Sequence, residues 1–195
     1  MLSYKDSLKI LKETNALLEG HFVLSSGLHS EKYVQCAQLL SKPNKAKEIC
    51  KSLSEKIISN YNNIDLILSP AIGGIVIGYE IGKILRKETI FCERVNGKFI
   101  LRRGFKIKRK SKVLIVEDVI TTGKSSLECV KLIKKSKASL IGFATIIDRS
   151  SKKDLKIKSK IISHMKIDVP TFKKNKLPIN LKSIPITIPG SRYIK

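Results

Sequence analysis

Two adjacent carboxylates, Glu117 and Asp118, stand between an apolar run, Val113-Leu114-Ile115-Val116, and a small, hydroxyl-bearing stretch, Thr121-Thr122-Gly123-Lys124-Ser125. A loop of this composition opening into a helix turns several backbone N–H groups outward, which suits a phosphate. Carboxylates at the end of the preceding strand accept hydrogen bonds from a sugar diol beside that phosphate. A phosphate cradle next to a diol acceptor implies a phosphorylated ribose. The competing reading is the P-loop of nucleotide triphosphatases, whose pattern G-x-x-x-x-G-K-[ST] ends as this loop does. Its first glycine position is Asp118 here, and a carboxylate there repels a polyphosphate. The P-loop is excluded.

The elements that must position these groups follow from hydrophobic pattern. Val113 to Val116 suits a strand buried on both faces of a parallel sheet. A helix over residues 124–136 and a strand over 140–147 complete a β-α-β unit. Upstream, Leu8, Leu11 and Leu18 predict a helix over 4–19, and Phe22 to Ser30 reads as strand, tight turn and strand. Pro43 opens a helix whose core face is Ala46, Ile49, Cys50, Leu53 and Ile57. Leu66-Ile67-Leu68 is a short buried strand stopping at Ser69-Pro70-Ala71-Ile72-Gly73-Gly74, and a helix follows to residue 86. Strands over 89–95 and 98–103 are joined by Asn96-Gly97, a two-residue hairpin signal. Beyond Ser150 the chain is strand and loop, with Pro170, Pro178, Pro185 and Pro189 preventing long helices. The expected fold is α/β, one domain with a mainly parallel central sheet flanked by helices. Ligands in such sheets bind beyond the carboxyl ends of the strands.

Composition bounds the rest. With 195 residues, 42% hydrophobic, the chain is long enough for one substantial core, and no segment reads as a membrane span. Cys36, Cys50, Cys92 and Cys129 never form C-x-x-C, so neither disulfides nor zinc are expected, and a reducing cytoplasm is the natural compartment. No apolar signal-peptide core follows the N-terminus. Thirty-nine basic against 16 acidic residues give +23. Lysines occur in nearly every element and no nucleic-acid module is visible, so solvated charge is favoured, with no specific nucleic-acid partner. The clusters at residues 102–112 and 152–160 are the densest, and the first is expected beside the site, where it would steer an anionic substrate.

The passage from Val113 to Ser126 resembles the phosphoribosyl-diphosphate (PRPP) motif of type I phosphoribosyltransferases. Further segments, in order, resemble orotate phosphoribosyltransferases: Phe22 to Tyr33, Ser69 to Ile75, Glu93-Arg94 through Arg102-Arg103-Gly104-Phe105, Asp148-Arg149, Asp168-Val169-Pro170-Thr171 and Pro189-Gly190-Ser191-Arg192. The resemblance implies the type I phosphoribosyltransferase fold, with a small hood from residues 1–40 and 150–195 over a core of 41–149. It implies transfer of phosphoribose from PRPP to N1 of orotate, giving orotidine 5′-monophosphate and diphosphate in pyrimidine synthesis. Residues Glu117, Asp118, Val119, Ile120, Thr121, Thr122, Gly123, Lys124 and Ser125 would bind PRPP, Glu117 and Asp118 at the ribose hydroxyls and Thr121 to Ser125 at the 5′-phosphate. Asp118, Glu117, Lys98 and Arg94 would be the catalytic residues, and the Ala71-Ile72-Gly73 turn would offer N–H groups to diphosphate. Arg149, Thr121, Ser25, Ser26 and Gly27 would meet orotate. Magnesium would be held by substrate oxygens and water rather than by direct protein ligands. Better-known relatives carry loop lysines and a histidine for diphosphate; here Glu93-Arg94-Val95-Asn96-Gly97-Lys98-Phe99 has no histidine. Arg94 and Lys98 are the expected substitutes, with Arg102 and Arg103 in reserve. The resemblance also implies a homodimer. The alternatives are transfer to a purine, or a PRPP-sensing regulator that binds nucleic acid.

Overall fold

The structure is a computed structural model and describes residues 1–24, 26–151 and 154–189. In chain order the elements are α1 (Tyr4–Glu13), β1 (Leu17–Val23), β2 (His29–Val34), α2 (Cys36–Leu40), α3 (Pro43–Ile58), β3 (Leu66–Pro70), α4 (Gly73–Leu85), β4 (Glu88–Val95), β5 (Lys98–Leu101) and β6 (Lys112–Ile120). There follow α5 (Lys124–Lys135), β7 (Ser139–Asp148), β8 (Ile161–Lys166), β9 (Thr171–Phe172), a 3₁₀ turn at Lys174–Lys176, α6 (Ile179–Lys182) and β10 (Ile186–Thr187). The central sheet has the order β5-β4-β3-β6-β7-β8 and is parallel except for β5, which returns antiparallel to β4 through the hairpin. A second, four-stranded sheet of order β10-β1-β2-β9 forms the hood.

Strand β6 runs through the middle of the core, and its alternation decides what each face receives. Val113 and Ile115 pack with Cys129 and Ile133 of α5, whereas Leu114 and Val116 join Ile77 and Ile81 of α4. All four strand residues are fully buried, as the four-residue apolar run requires. The core face expected for α3 is also buried at each of its five positions.

The structure departs from the sequence reading in four places. The first helix ends at Glu13, because Asn15 takes a left-handed conformation (φ 56°) and the Ala16 N–H returns to the Leu11 carbonyl; Leu18 therefore lies in β1. Strand β6 continues past the acidic pair to Ile120, which pairs with Asp148 of the ten-residue β7. Residues beyond 150 do not all join the hood: β8 extends the central sheet beside β7, and β9 and β10 edge the hood sheet. Finally, the basic cluster at 102–112 lies only partly beside the site: Arg102 and Arg103 pair with Glu93, next to the Cys92 that is the register partner of Pro70, but the last residues of the cluster lie away from it. Lys112 opens β6 at the end opposite the phosphate loop, and Lys110 bonds Lys137 there. That separation is roughly 26 Å along the strand, about three screening lengths at physiological salt.

Candidate active site

The alternation of β6 carries straight into the acidic pair. Asp118 follows the even positions toward α4, and Glu117 follows the odd positions toward α5. The Asp118 carboxylate lies against Gly73: a Cβ there would stand 2.6 Å from Oδ2. Only glycine lets the β3–α4 turn touch the acid. In that turn the Ala71–Ile72 peptide is cis. The Ala71 N–H donates to the Cys92 carbonyl at 2.8 Å, so it is not available to a ligand as the sequence reading had it. The N–H groups of Ile72, Gly73 and Gly74 meet no acceptor among the described residues. The backbone of Asp118 is fixed from the other side, its carbonyl accepting from Thr145 Oγ1 at 3.0 Å.

Burial pushes both carboxyls upward. Asp118 is raised by desolvation, against hydrogen bonds from its own N–H and that of Val119. Glu117 is pushed up to about 7, first by burial, with the Ser126 hydroxyl opposing and the Asp118 charge adding.

The loop between β6 and α5 turns at Gly123, which caps α5 in a left-handed conformation (φ 73°). A Cβ at Gly123 would stand 2.6 Å from Ile157, and Lys156 N–H donates to Thr122 O at 3.0 Å, so the segment after residue 153 braces the loop. The N–H groups of residues 122–126 meet no acceptor among the described residues. A helix N-terminus with its orphan donors turned outward is the geometry a phosphate needs.

Arg149 follows β7, and its N–H is tied to Ile120 O at 2.8 Å. Its side chain does not pair with Asp148, whose Oδ1 accepts from Ser150 N and whose Oδ2 lies 3.9 Å from Lys166 Nζ. The Arg149 Nε is buried with no hydrogen-bond partner among the described residues. Burial holds the guanidinium below its ordinary pKa, and Tyr33 of β2 and Cys36 of α2 are neighbours that raise it. Tyr33 and Cys36 therefore adjoin Arg149, a grouping that sequence reasoning missed because nothing local links them. Ser26 and Gly27 sit exposed at the turn between β1 and β2, with Gly27 N bonded to Leu24 O. Ser25, Gly190, Ser191 and Arg192 lie outside the described residues.

The cations of the hairpin are mostly committed. Arg94 bonds Glu128 Oε2 at 2.9 Å and lies 4.1 Å over the Phe99 ring, while Arg103 and Arg102 both pair with Glu93. Lys98 alone of these has no acidic partner among the described residues. Ser126, fully buried on α5 and bonded to Glu117, was also missed. Its spacing with Cys129 and Ile133 (i+3, i+7) places a hydroxyl on the inward face of that helix and was the available signal.

An acid pair at a buried strand end, a phosphate loop at the next helix N-terminus and a glycine turn against the acid define a site for a phosphorylated, activated ribose. The chain belongs to the phosphoribosyltransferase family: residues 36–175 match the phosphoribosyl transferase domain. Over 193 residues it is 44% identical to the orotate phosphoribosyltransferase of Parvibaculum lavamentivorans, covering 97% of this chain and 99% of that one. The orotate phosphoribosyltransferase of Caldicellulosiruptor saccharolyticus is 42% identical over 188 residues, covering 96% and 97%. Among solved structures, orotate phosphoribosyltransferase from Aeropyrum pernix superposes with a TM-score of 0.66 at 21% identity, over 82% of this chain and 92% of that one. Adenine phosphoribosyltransferase from Thermoanaerobacter pseudethanolicus reaches 0.58 at 17%, over 70% and 88%. The fold thus serves more than one base, and base choice rests on the site.

Proposed function

We propose that this chain transfers the phosphoribosyl group of PRPP to N1 of orotate, releasing diphosphate and forming orotidine 5′-monophosphate for pyrimidine synthesis. The observation that carries the base assignment is Arg149, a guanidinium beyond a strand end whose buried Nε has no partner among the described residues. Orotate offers the carboxylate such a fork binds. Two relatives above 40% identity over nearly their whole length bear that activity in their names.

In this reaction the bond from C1′ to the diphosphate oxygen breaks and the N1–C1′ bond forms, with diphosphate leaving on the electron pair. Positive charge develops on the ribose, so a fixed carboxylate below it stabilises the transition state more than the ground state. Asp118 has that role, held between the diphosphate turn and the sugar. Residues 122–126 anchor the 5′-phosphate, the N–H groups of Ile72 and Gly73 meet diphosphate, and Lys98 adds a cation from the hairpin tip. Thr121, Ser26, Gly27 and Arg149 surround the base.

No group of three or more metal-ligating side chains occurs among the described residues. Two carboxylates beside a diol and a diphosphate would suit magnesium bound chiefly by substrate oxygens and water. When bound, the ion neutralises charge on the departing diphosphate.

An exposed apolar stripe of Val76 and Tyr79 on α4 with Ile72 at its N-cap supports a homodimer, with the hairpin reaching the two-fold neighbour. No helix among the described residues is long and apolar enough to cross a membrane. The cytoplasm is the proposed compartment, on the buried, unpaired cysteines. The test is an acceptor panel with PRPP and magnesium: orotate alone is consumed, and hypoxanthine, xanthine and adenine are not. Consumption of a purine instead overturns the assignment. Sequence-preferring nucleic-acid binding at physiological salt without turnover would support the regulator.

A further inference from the structure

Glu117 is held from behind by a side chain of the first turn of α5. Its carboxyl turns toward α5, where the Ser126 hydroxyl, on a fully buried residue of the first helical turn, donates to Oε1. Glu117 is 7% exposed, and its Oε2 accepts no hydrogen bond among the described residues. One oxygen is thus fixed inside and the other is left without a partner among the described residues. We propose that Ser126 is a positioning residue for phosphoribosyl transfer, locking the Glu117 carboxyl so that Oε2 accepts from the ribose diol. The inference rests on the reading of the site as a PRPP site.

The surroundings explain why a hydroxyl is needed there. Asp118 adjoins Glu117 on β6, Cys129 faces it from α5 with Cys92 of β4 behind, and Thr145 is its register partner on β7. None of these is cationic, and the Thr145 hydroxyl is already given to backbone carbonyls. Ser126 is therefore the group that favours the ionised carboxylate against burial, which pushes Glu117 up to about 7. A protonated Glu117 loses acceptor capacity for a diol. Deleting the hydroxyl lets burial act unopposed, so the carboxyl titrates higher and activity is lost first on the acid side.

The test is kcat/KM for PRPP between pH 6 and 9, with PRPP affinity by calorimetry at the same pH values, for the wild type, Ser126→Ala, Ser126→Cys and Glu117→Gln. Ser126→Ala is expected to move the acid limb up by about one pH unit, which is roughly tenfold at pH 6 and little at pH 9. Ser126→Cys, of similar volume but a weak donor, shifts it part of the way and carries the test where the alanine variant is unstable. Glu117→Gln abolishes the limb. An acid limb unmoved in both serine variants, with melting temperatures equal to wild type, overturns the proposal. The calorimetric limb does not depend on the base. Its shift without orotate consumption would sink the orotate assignment and leave this inference standing.

Discussion

Between the ribose-phosphate half of the site and the base half lies a difference in construction. Residues 117–126 form one strand–loop–helix passage seated in the central sheet, with Glu117, Gly123 and Ser126 buried. The base half joins Arg149, at the end of β7, to Tyr33, Cys36 and a turn of the hood. The hood itself is pinned by few, distant bonds. Two-residue strands β9 and β10 pair with β2 and β1, Ser30 Oγ donates to Pro170 O at 3.0 Å, and the His21 ring bonds Ile184 O at 3.1 Å. Strands that short add little stability alone. On the proposed reading, the half that handles charge is built into the central sheet, where preorganisation matters. The half that would cover the base hangs on short edge pairings of the kind that open at lower cost.

That contrast can be broken at four points. Asp118→Asn keeps the shape and removes the charge facing the developing cation, so kcat should fall by roughly a hundred- to a thousandfold while PRPP affinity by calorimetry changes far less. An unchanged kcat removes Asp118 from the catalytic set. Arg149→Ala should raise the orotate KM by about thirtyfold, the worth of a lost charge-assisted bond of about 2 kcal/mol, and leave the PRPP KM nearly alone. Equal rises in both would make Arg149 structural.

Gly73→Ala places a methyl against the Asp118 carboxylate and should cost roughly tenfold in kcat/KM for PRPP with a nearly unchanged melting temperature. A fully active variant would show that the turn does not need to approach the acid. Ser30→Ala removes the 3.0 Å bond to Pro170 O, worth about 1 kcal/mol, and a longer one from Lys32 N. Hood amides should then exchange roughly fivefold faster or more in hydrogen-exchange measurements while β6 amides do not. Equal acceleration in β6 would mean that the hood and the sheet open as one unit.

The same contrast separates what could be read from the sequence and what could not. The phosphate half is local: an apolar run, two acids and a glycine loop are contiguous, and their alternation about β6 follows from the period of a strand. The hairpin was equally legible, since Asn96 and Gly97 take the positive φ values (48° and 76°) that their residue types favour. The helix over 4–19 was over-extended because Leu18 kept the helical spacing while Asn15 ended the helix. Strand β8 was given to the hood because residues 150–195 are punctuated by prolines, and nothing local distinguishes a central-sheet edge strand from a hood strand. The ion pair of Arg94 could not be read because its partner, Glu128, lies 34 residues away on α5. The division of residues 102–112 between the two ends of the sheet was hidden for the same reason, as sequence proximity to β6 does not say which end each residue meets. Tyr33 and Cys36 reach Arg149 only through the tertiary fold.

The central claim is most directly tested by following orotate absorbance after adding the protein, PRPP and magnesium, each omitted in turn. The account predicts loss of absorbance only when all are present, with stoichiometric release of diphosphate. Absorbance that holds steady in the complete mixture, while calorimetry shows PRPP bound, would contradict it.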